Sequence, residues 1–309
     1  MAHHSTLRSE HLRGRRVLGI FTRPDDETLC AGGTLAKYAS AGADVRVVSM
    51  TRGGAGQIRD ASVATRTNLM AVRKSELRAA GQELGLHETR CFDYPDGGLH
   101  ALDADVLAGL AIDLINEIEP DVVVTFGPDG FSGHPDHIAV GAVVTRACHA
   151  RRSDASIRLF HCHMPQNRML LRDRLAAWVV ELNSRFKGTA EFVRALSVFS
   201  VAHVVALDDV TCLSFSAAEP TGFEGRGEQT QPLRTRSLSS GDQIDPRVTT
   251  CIDISDFVGH KIRATAAHRS QYPIDPTMFP DRILREMFGV EYFIQVLPEP
   301  ELATSLFDV

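Results

Sequence analysis

The sequence predicts an α/β fold: a Rossmann-like, doubly wound, mainly parallel sheet with a smaller C-terminal extension. Three observations point to it. Short apolar runs rich in branched residues recur in the first half, at "RVLGIF" (16–21), "ADVRVVSM" (43–50) and "DVVVTF" (121–126). Continuous apolar runs of this length mark strands buried on both faces, as parallel strands are. Helical patterns separate them, and strand alternating with helix is the mark of a layered α/β sheet. Finally, polar motifs follow the first and last of these strands, where the ligand crevice of such a sheet lies.

The elements follow in order. Residues 1–15, "MAHHSTLRSEHLRGR", are polar and are expected to be a flexible N-terminus. The core is expected to span 16–160. After the first strand, "LCAGGTLAKYASAG" reads as a helix, and "LMAVRKSELRAAGQELGL" (69–86) as another. In the latter, Leu69, Val72, Leu77, Ala80 and Leu84 recur near a 3.6-residue period, and Gly85 supplies the stop. "DADVLAGLAIDLINEIE" (103–119) is a third helix leading into the strand at Asp121. From 161 to 309 the chain is expected to complete the domain and shape the substrate site. There "IRLFHCHM", "VAHVVAL" and "VTTCIDI" read as strands and 256–269 as a helix, with a polar excursion at 219–247 rich in Gly, Ser, Thr and Pro.

Composition narrows the function. The chain has 309 residues, 43% of them hydrophobic, enough for a substantial core. A net charge of −6 excludes the basic footprint of a nucleic-acid binder. No apolar run reaches the roughly 20 residues that cross a bilayer, and the N-terminus lacks the apolar stretch of a secretory signal. Six scattered cysteines without a CxxC pair fit reduced thiols, hence a cytoplasmic protein. Oligomeric state is open, a homo-oligomer included. Neither a GxSxG elbow nor a P-loop is present, and the glycines of "TRGGAGQ" read as a crevice wall.

The chemistry lies in two loops, "FTRPDDETLC" (21–30) and "GPDGFSGHPDH" (127–137). Pro135 suits the first turn of a helix, so His134 and His137 can share one side of its N-terminal end, with Asp136 capping the helix or orienting an imidazole. Alone this reads first as a polar helix cap with solvent-exposed histidines. Opposite the paired carboxylates Asp25 and Asp26, it fits a mononuclear hydrolase, which needs nitrogen and oxygen metal ligands and a carboxylate beside the bound water.

"RPDDE", "GHPDH" about 110 residues later, and the intervening "TRGGAGQ" and "AVRKSELRAAGQELG" resemble the PIG-L/LmbE family of zinc-dependent N-acetylglucosaminyl deacetylases. The resemblance covers 16 to about 150 and returns faintly at "KIRATAAHRSQ" (261–271). It implies a Zn2+ hydrolase removing an acyl group, normally acetyl, from a small N-acyl amino sugar or glycoconjugate. On that pattern Asp26 and His137 ligate zinc, Asp25 is the general base, and His134 stabilises the oxyanion or protonates the leaving amine. Arg73 matches a family arginine expected to bind substrate; on the residues alone it is equally a solvated arginine paired with Glu76 or Glu83. A tyrosine that some members place near Ser132 has no counterpart.

One departure is severe. The family's first zinc-ligand histidine is replaced by Arg23, whose guanidinium has no lone pair to offer. An Arg23–Asp26 ion pair filling the cavity is the expected consequence, and two ligands fall short of the usual three. Three accounts fit: a metal-free pseudoenzyme or sugar-binding protein on the same fold, an arginine that swings to solvent while another group ligates, or an introduced substitution. His161, His163 and His268 are candidate replacement ligands, though the strand pair reads more readily as ordinary strand residues. Cys30, near the first helix's start, reads as packing rather than as a reactive thiol.

Overall fold

The computed structural model describes residues 11–151, 157–165, 204–207, 210–213, 245–277, 281–298 and 302–307. In chain order these form β1 (Arg16–Phe21), α1 (Asp26–Ser40), β2 (Asp44–Thr51), α2 (Leu69–Leu84), β3 (Glu88–Tyr94), a short 3-10 turn at Leu99–Ala101, α3 (Ala104–Ile118), β4 (Val122–Phe126), α4 (Pro135–Ala150), β5 (Arg158–His163), β6 (Val204–Leu207), β7 (Val210–Leu213), β8 (Thr250–Asp253), α5 (Val258–Ala267), α6 (Asp281–Phe288) and β9 (Val290–Leu297).

The chain divides into two compact units. The larger comprises residues 1–164, 247–276 and 289–309 and holds a mixed seven-stranded sheet in the order β3-β2-β1-β4-β5-β9-β8. β1 to β5 are parallel, while β9 runs antiparallel to both β5 and β8. The smaller comprises 165–246 and 277–288; its described residues include the antiparallel β6–β7 pair and α6. Most of the polar excursion, residues 219–244, lies outside the described residues.

The expected α/β class holds, and the order explains where a site can form. From β1 the chain winds one way to β2 and β3, then crosses over to β4 and winds the other way to β5. Right-handed crossovers put the helices of the two halves on opposite faces. Accordingly α1, α2 and α5 pack together, as do α3 and α4. The winding reverses between β1 and β4, whose Val17–Gly19 and Val122–Val124 lie in register. The loops leaving these strands therefore start side by side at the topological switch point.

Close approach fixes α4 on the sheet: a Cβ on Gly141 would sit 2.5 Å from the Phe126 carbonyl oxygen, so only glycine fits. β9 is tied to α1 by Glu291, which accepts from the Gly33 and Thr34 amides at 3.0 and 2.8 Å and pairs with the buried Lys261 of α5. Order begins ahead of β1. Leu12 is buried and its amide donates to the Ala41 carbonyl at 3.2 Å, so the expected flexible segment does not extend through residue 15.

Candidate active site

The loop after β1 carries the carboxylates. Asp25 sits at the N-cap of α1 with φ 110°, a left-handed conformation that costs a non-glycine residue about 1–3 kcal/mol and persists only when its surroundings enforce it. They do. The Asp25 amide donates to Glu27 Oε2 at 3.0 Å, and Asp25 Oδ2 lies 3.0 Å from Nη2 of Arg73. Burial pushes the Asp25 carboxyl up to about 7, against the opposing pull of Arg73.

Arg73 is neither solvated nor paired with Glu76 or Glu83. Its side chain is 1% exposed, and it donates to the Gly53 carbonyl at 2.8 Å and to the Pro24 carbonyl. Glu76 instead accepts from Ser270, and Glu83 from Arg263. The glycine loop now has a reason. Gly53 has φ 66°, and a Cβ there would fall 2.1 Å from Arg73 Nη1, so the wall can close on the guanidinium only without a side chain.

The loop after β4 and the start of α4 bring the imidazoles. His134 is the N-cap of α4, Pro135 follows it, and His134 Nδ1 accepts from the Asp136 amide at 3.1 Å. In the neutral ring this leaves Nε2–H as a donor. Burial, then the Arg23 and His137 charges, lower the His134 pKa, which favours that neutral form. His137 stacks on Phe126 with centroids 4.2 Å apart, and its Nδ1 lies 3.1 Å from the Gly130 carbonyl. A carbonyl only accepts, so Nδ1 carries the hydrogen and the Nε2 lone pair faces the crevice.

Arg23 departs from expectation. Its guanidinium does not pair with Asp26: Nη2 lies 2.9 Å from His137 Nε2, and Nη1 is 3.8 Å from Asp96 Oδ1. Asp26 Oδ2 takes the Arg23 backbone amide at 2.9 Å instead, and Asp26 Oδ1 is 3.5 Å from His137 Nε2. The physical reason is local: Asp26, at the first turn of α1, satisfies the amide of the loop three residues back. The structure thus brings Asp25, Asp26, His134, His137, Arg23 and Arg73 to one crevice.

The other candidates are engaged elsewhere. His161 Nε2 lies 2.8 Å from Thr145 Oγ1, and burial lowers its pKa to about 4; His163 Nδ1 is 3.6 Å from Asp129. His268 is fully buried with Nε2 2.7 Å from Glu27 Oε1. Burial lowers the His268 pKa, but the Glu27 charge and hydrogen bond outweigh it and the net shift is upward. Burial likewise raises Glu27, and the bonds from His268, Thr28 and the Asp25 amide bring it below its ordinary value. Cys30 is buried, and burial with the neighbouring Cys162 raises its pKa, as expected of a packing residue.

Two contributors, His100 and Asp96, escaped the sequence reading. Asp136 is fully buried, and its Oδ1 accepts from the amide and Nδ1 of His100 at 3.1 and 2.6 Å. Asp96, 3% exposed in its side chain, takes the Ala55 amide on Oδ2 at 2.8 Å, while Oδ1 has no hydrogen bond. Both lie in or after "YPDGGLH", the loop leaving β3 at the same end of the sheet. Reading β3 as a strand would have found them. Beside Asp96 a cavity of about 300 Å³ is walled in part by Arg52, Arg66, Met70 and Tyr94.

A zinc ion does not fit these residues as they stand. Among the described residues no three His, Cys, Asp or Glu side chains are placed to share a metal ion. Asp26 and His137 supply two donors, and the lone pair of the second is already engaged by Arg23.

An α/β sheet with paired carboxylates and imidazoles at its switch point defines a hydrolase-type scaffold. The PIG-L family, described as GlcNAc-PI de-N-acetylase, matches residues 18–148. The chain is 30% identical over 307 residues to 1D-myo-inositol 2-acetamido-2-deoxy-alpha-D-glucopyranoside deacetylase of Rhodococcus erythropolis, covering 91% of this chain and 90% of that one. A namesake from a Mycobacterium species is 29% identical, covering 92% and 84%. Among solved structures, N,N'-diacetylchitobiose deacetylase of Pyrococcus horikoshii shares the fold with a TM-score of 0.51 at 21% identity, covering 91% of this chain and 84% of that one. The chain belongs to the PIG-L family.

Proposed function

We propose that this protein hydrolyses the N-acetyl group of a small N-acetylglucosamine-containing conjugate, releasing a free amine and a carboxylate. The observation that carries the reading is Asp25: a buried aspartate with its pKa raised to about 7, held in a strained conformation against Arg73 at the switch point. A carboxylate so tuned suits a general base working near neutral pH. Relatives named as deacetylases of an N-acetylglucosaminyl inositol supply the substrate class.

In this reading Asp25 takes a proton from water as the water oxygen bonds to the amide carbon. His134 donates its Nε2–H toward the developing oxyanion. Asp25 returns its proton to the amide nitrogen as the carbon–nitrogen bond breaks, so acid and amine form without net proton gain. Arg73, buried and out of reach of solvent, is a positioning residue for Asp25, and the Asp136–His100 pair positions the start of α4. Asp26 and His137 are the positions at which the family resemblance puts zinc; with Arg23 on His137, no step runs through a metal. The cavity beside Asp96 offers room for the rest of the conjugate. Free thiols at Cys30, Cys91, Cys148, Cys162 and Cys251 support a cytoplasmic setting. No described helix is long and apolar enough to cross a membrane.

The Arg23–His137 contact also favours a second reading, a protein that binds the sugar without turning it over. Incubating the full chain with N-acetylglucosaminyl inositol and related conjugates, while measuring free primary amine and ligand affinity, separates the two. Amine release that falls by about 100-fold or more in Asp25→Asn supports the hydrolase. Binding without release supports the second reading, and neither binding nor release overturns both.

A further inference from the structure

We propose that Arg23 is the resident cation of this site, a guanidinium that stands in the metal's place, excludes zinc, and offers its free N–H donors to the oxygen of an amide carbonyl or carboxylate. The inference rests on the hydrolase reading only for the identity of that oxygen.

Geometry carries it. The Gly130 carbonyl holds His137 in the tautomer whose Nε2 lone pair faces the crevice, the orientation in which an imidazole would ligate through Nε2. Arg23 Nη2 takes that lone pair at 2.9 Å. A metal ion could use it only by expelling the guanidinium, which would still sit nearby as a positive charge. The electrostatics agree. Asp26 and Asp25 have side chains only 6% and 10% exposed, and buried carboxylates need compensating charge. Arg73 serves Asp25. Arg23 is tethered to Asp26 through its own backbone amide, and its guanidinium stands 3.8 Å from the buried carboxylate of Asp96. With a side chain 19% exposed, Arg23 is reachable from the crevice, and its five N–H groups exceed the partners it has there.

The test reads metal rather than turnover. The full-length protein and its Arg23→His variant are dialysed against zinc, freed of unbound metal, and assayed for zinc content and melting temperature with and without a chelator. The native protein is expected to retain no stoichiometric zinc and to melt at one temperature in every condition. Arg23→His is expected to hold about one zinc per chain, as a restored three-ligand site would, and to melt several degrees higher with zinc than with chelator.

Stoichiometric zinc on the native protein overturns the inference. So does a folded Arg23→His variant that takes up none. Should that variant not fold, Arg23→Gln gives the second arm: it removes the charge, and its melting temperature is expected to fall, whereas an unchanged value would overturn the role of Arg23 as compensating cation. A native protein free of zinc that releases no amine leaves this inference standing and sinks the hydrolase reading; one that binds zinc and releases amine does the reverse.

Discussion

Burial would keep the Asp25 carboxyl protonated near neutrality, and the guanidinium of Arg73 at 3.0 Å pulls the other way; the balance falls at about 7. A general base works only when deprotonated, so amine release should rise with pH through an apparent value near 7 before levelling. Arg73→Met removes the largest influence that lowers this pKa. Its rising limb should move to higher pH and its rate at neutral pH should fall, both read from one pH–rate profile; an unmoved limb would count against the pair. The same change breaks a buried ion pair, which typically costs about 3–5 kcal/mol, measurable by denaturant unfolding. Asp25, Asp26, His134 and His137 were legible because their residue types cluster in two short motifs. The partner of Arg23 was not. Choosing between Asp26 and His137 depended on which acceptor the loop amide had already claimed, and that is a matter of three-dimensional geometry.

At the scale of elements, the strands buried on both faces gave themselves away, whereas β3 and β9 did not. β1 and β4 are apolar runs, whereas β3, "ETRCFDY", lies at the sheet edge with every residue partly exposed and carries no clean period. β9 alternates buried and half-buried residues, yet what ties it to α1 is Glu291 on the Gly33 and Thr34 amides, more than 250 residues away along the chain. Close packing makes two glycines testable. Gly141→Ala would set a methyl 2.5 Å from the Phe126 carbonyl and push α4 off β4. Overpacking of this kind costs typically 1–3 kcal/mol, so a lower melting temperature is expected together with slower amine release, because His134 and His137 ride on that helix. Gly53→Ala would drive a methyl into Arg73 and should depress turnover more than stability. A Gly53→Ala protein with native kinetics would show that Arg73 does not position the base.

Across the whole larger unit, Glu27 and His268 join the first helix to the residue that follows α5, two segments more than 240 residues apart in sequence. Their shifts oppose one another and describe one interaction. The Glu27 pKa is lowered, so its contribution is present above its ordinary value of 4.5 and is lost as pH falls through the folded value. The His268 pKa is raised, so its contribution is present below 6.5 and is lost as pH rises through the folded value. The pair should therefore stabilise the fold most between about pH 4.5 and 6.5. His268→Ala should remove the stability maximum in that window and lower stability within it by about 3–5 kcal/mol, since it leaves a buried carboxylate alone. "KIRATAAHRSQ" hinted at this contact only through its family resemblance, because nothing in its spacing says what His268 meets.

That Asp25 activates water against an N-acyl carbon is the claim on which the functional account turns. Turnover of an N-acetylglucosaminyl conjugate in 18O-labelled water tests it most directly. The account predicts solvent oxygen in the released acetate and, with Asp25→Asn, loss of nearly all of that labelled product. Acetate without label, or labelled acetate formed at the native rate by Asp25→Asn, would contradict it.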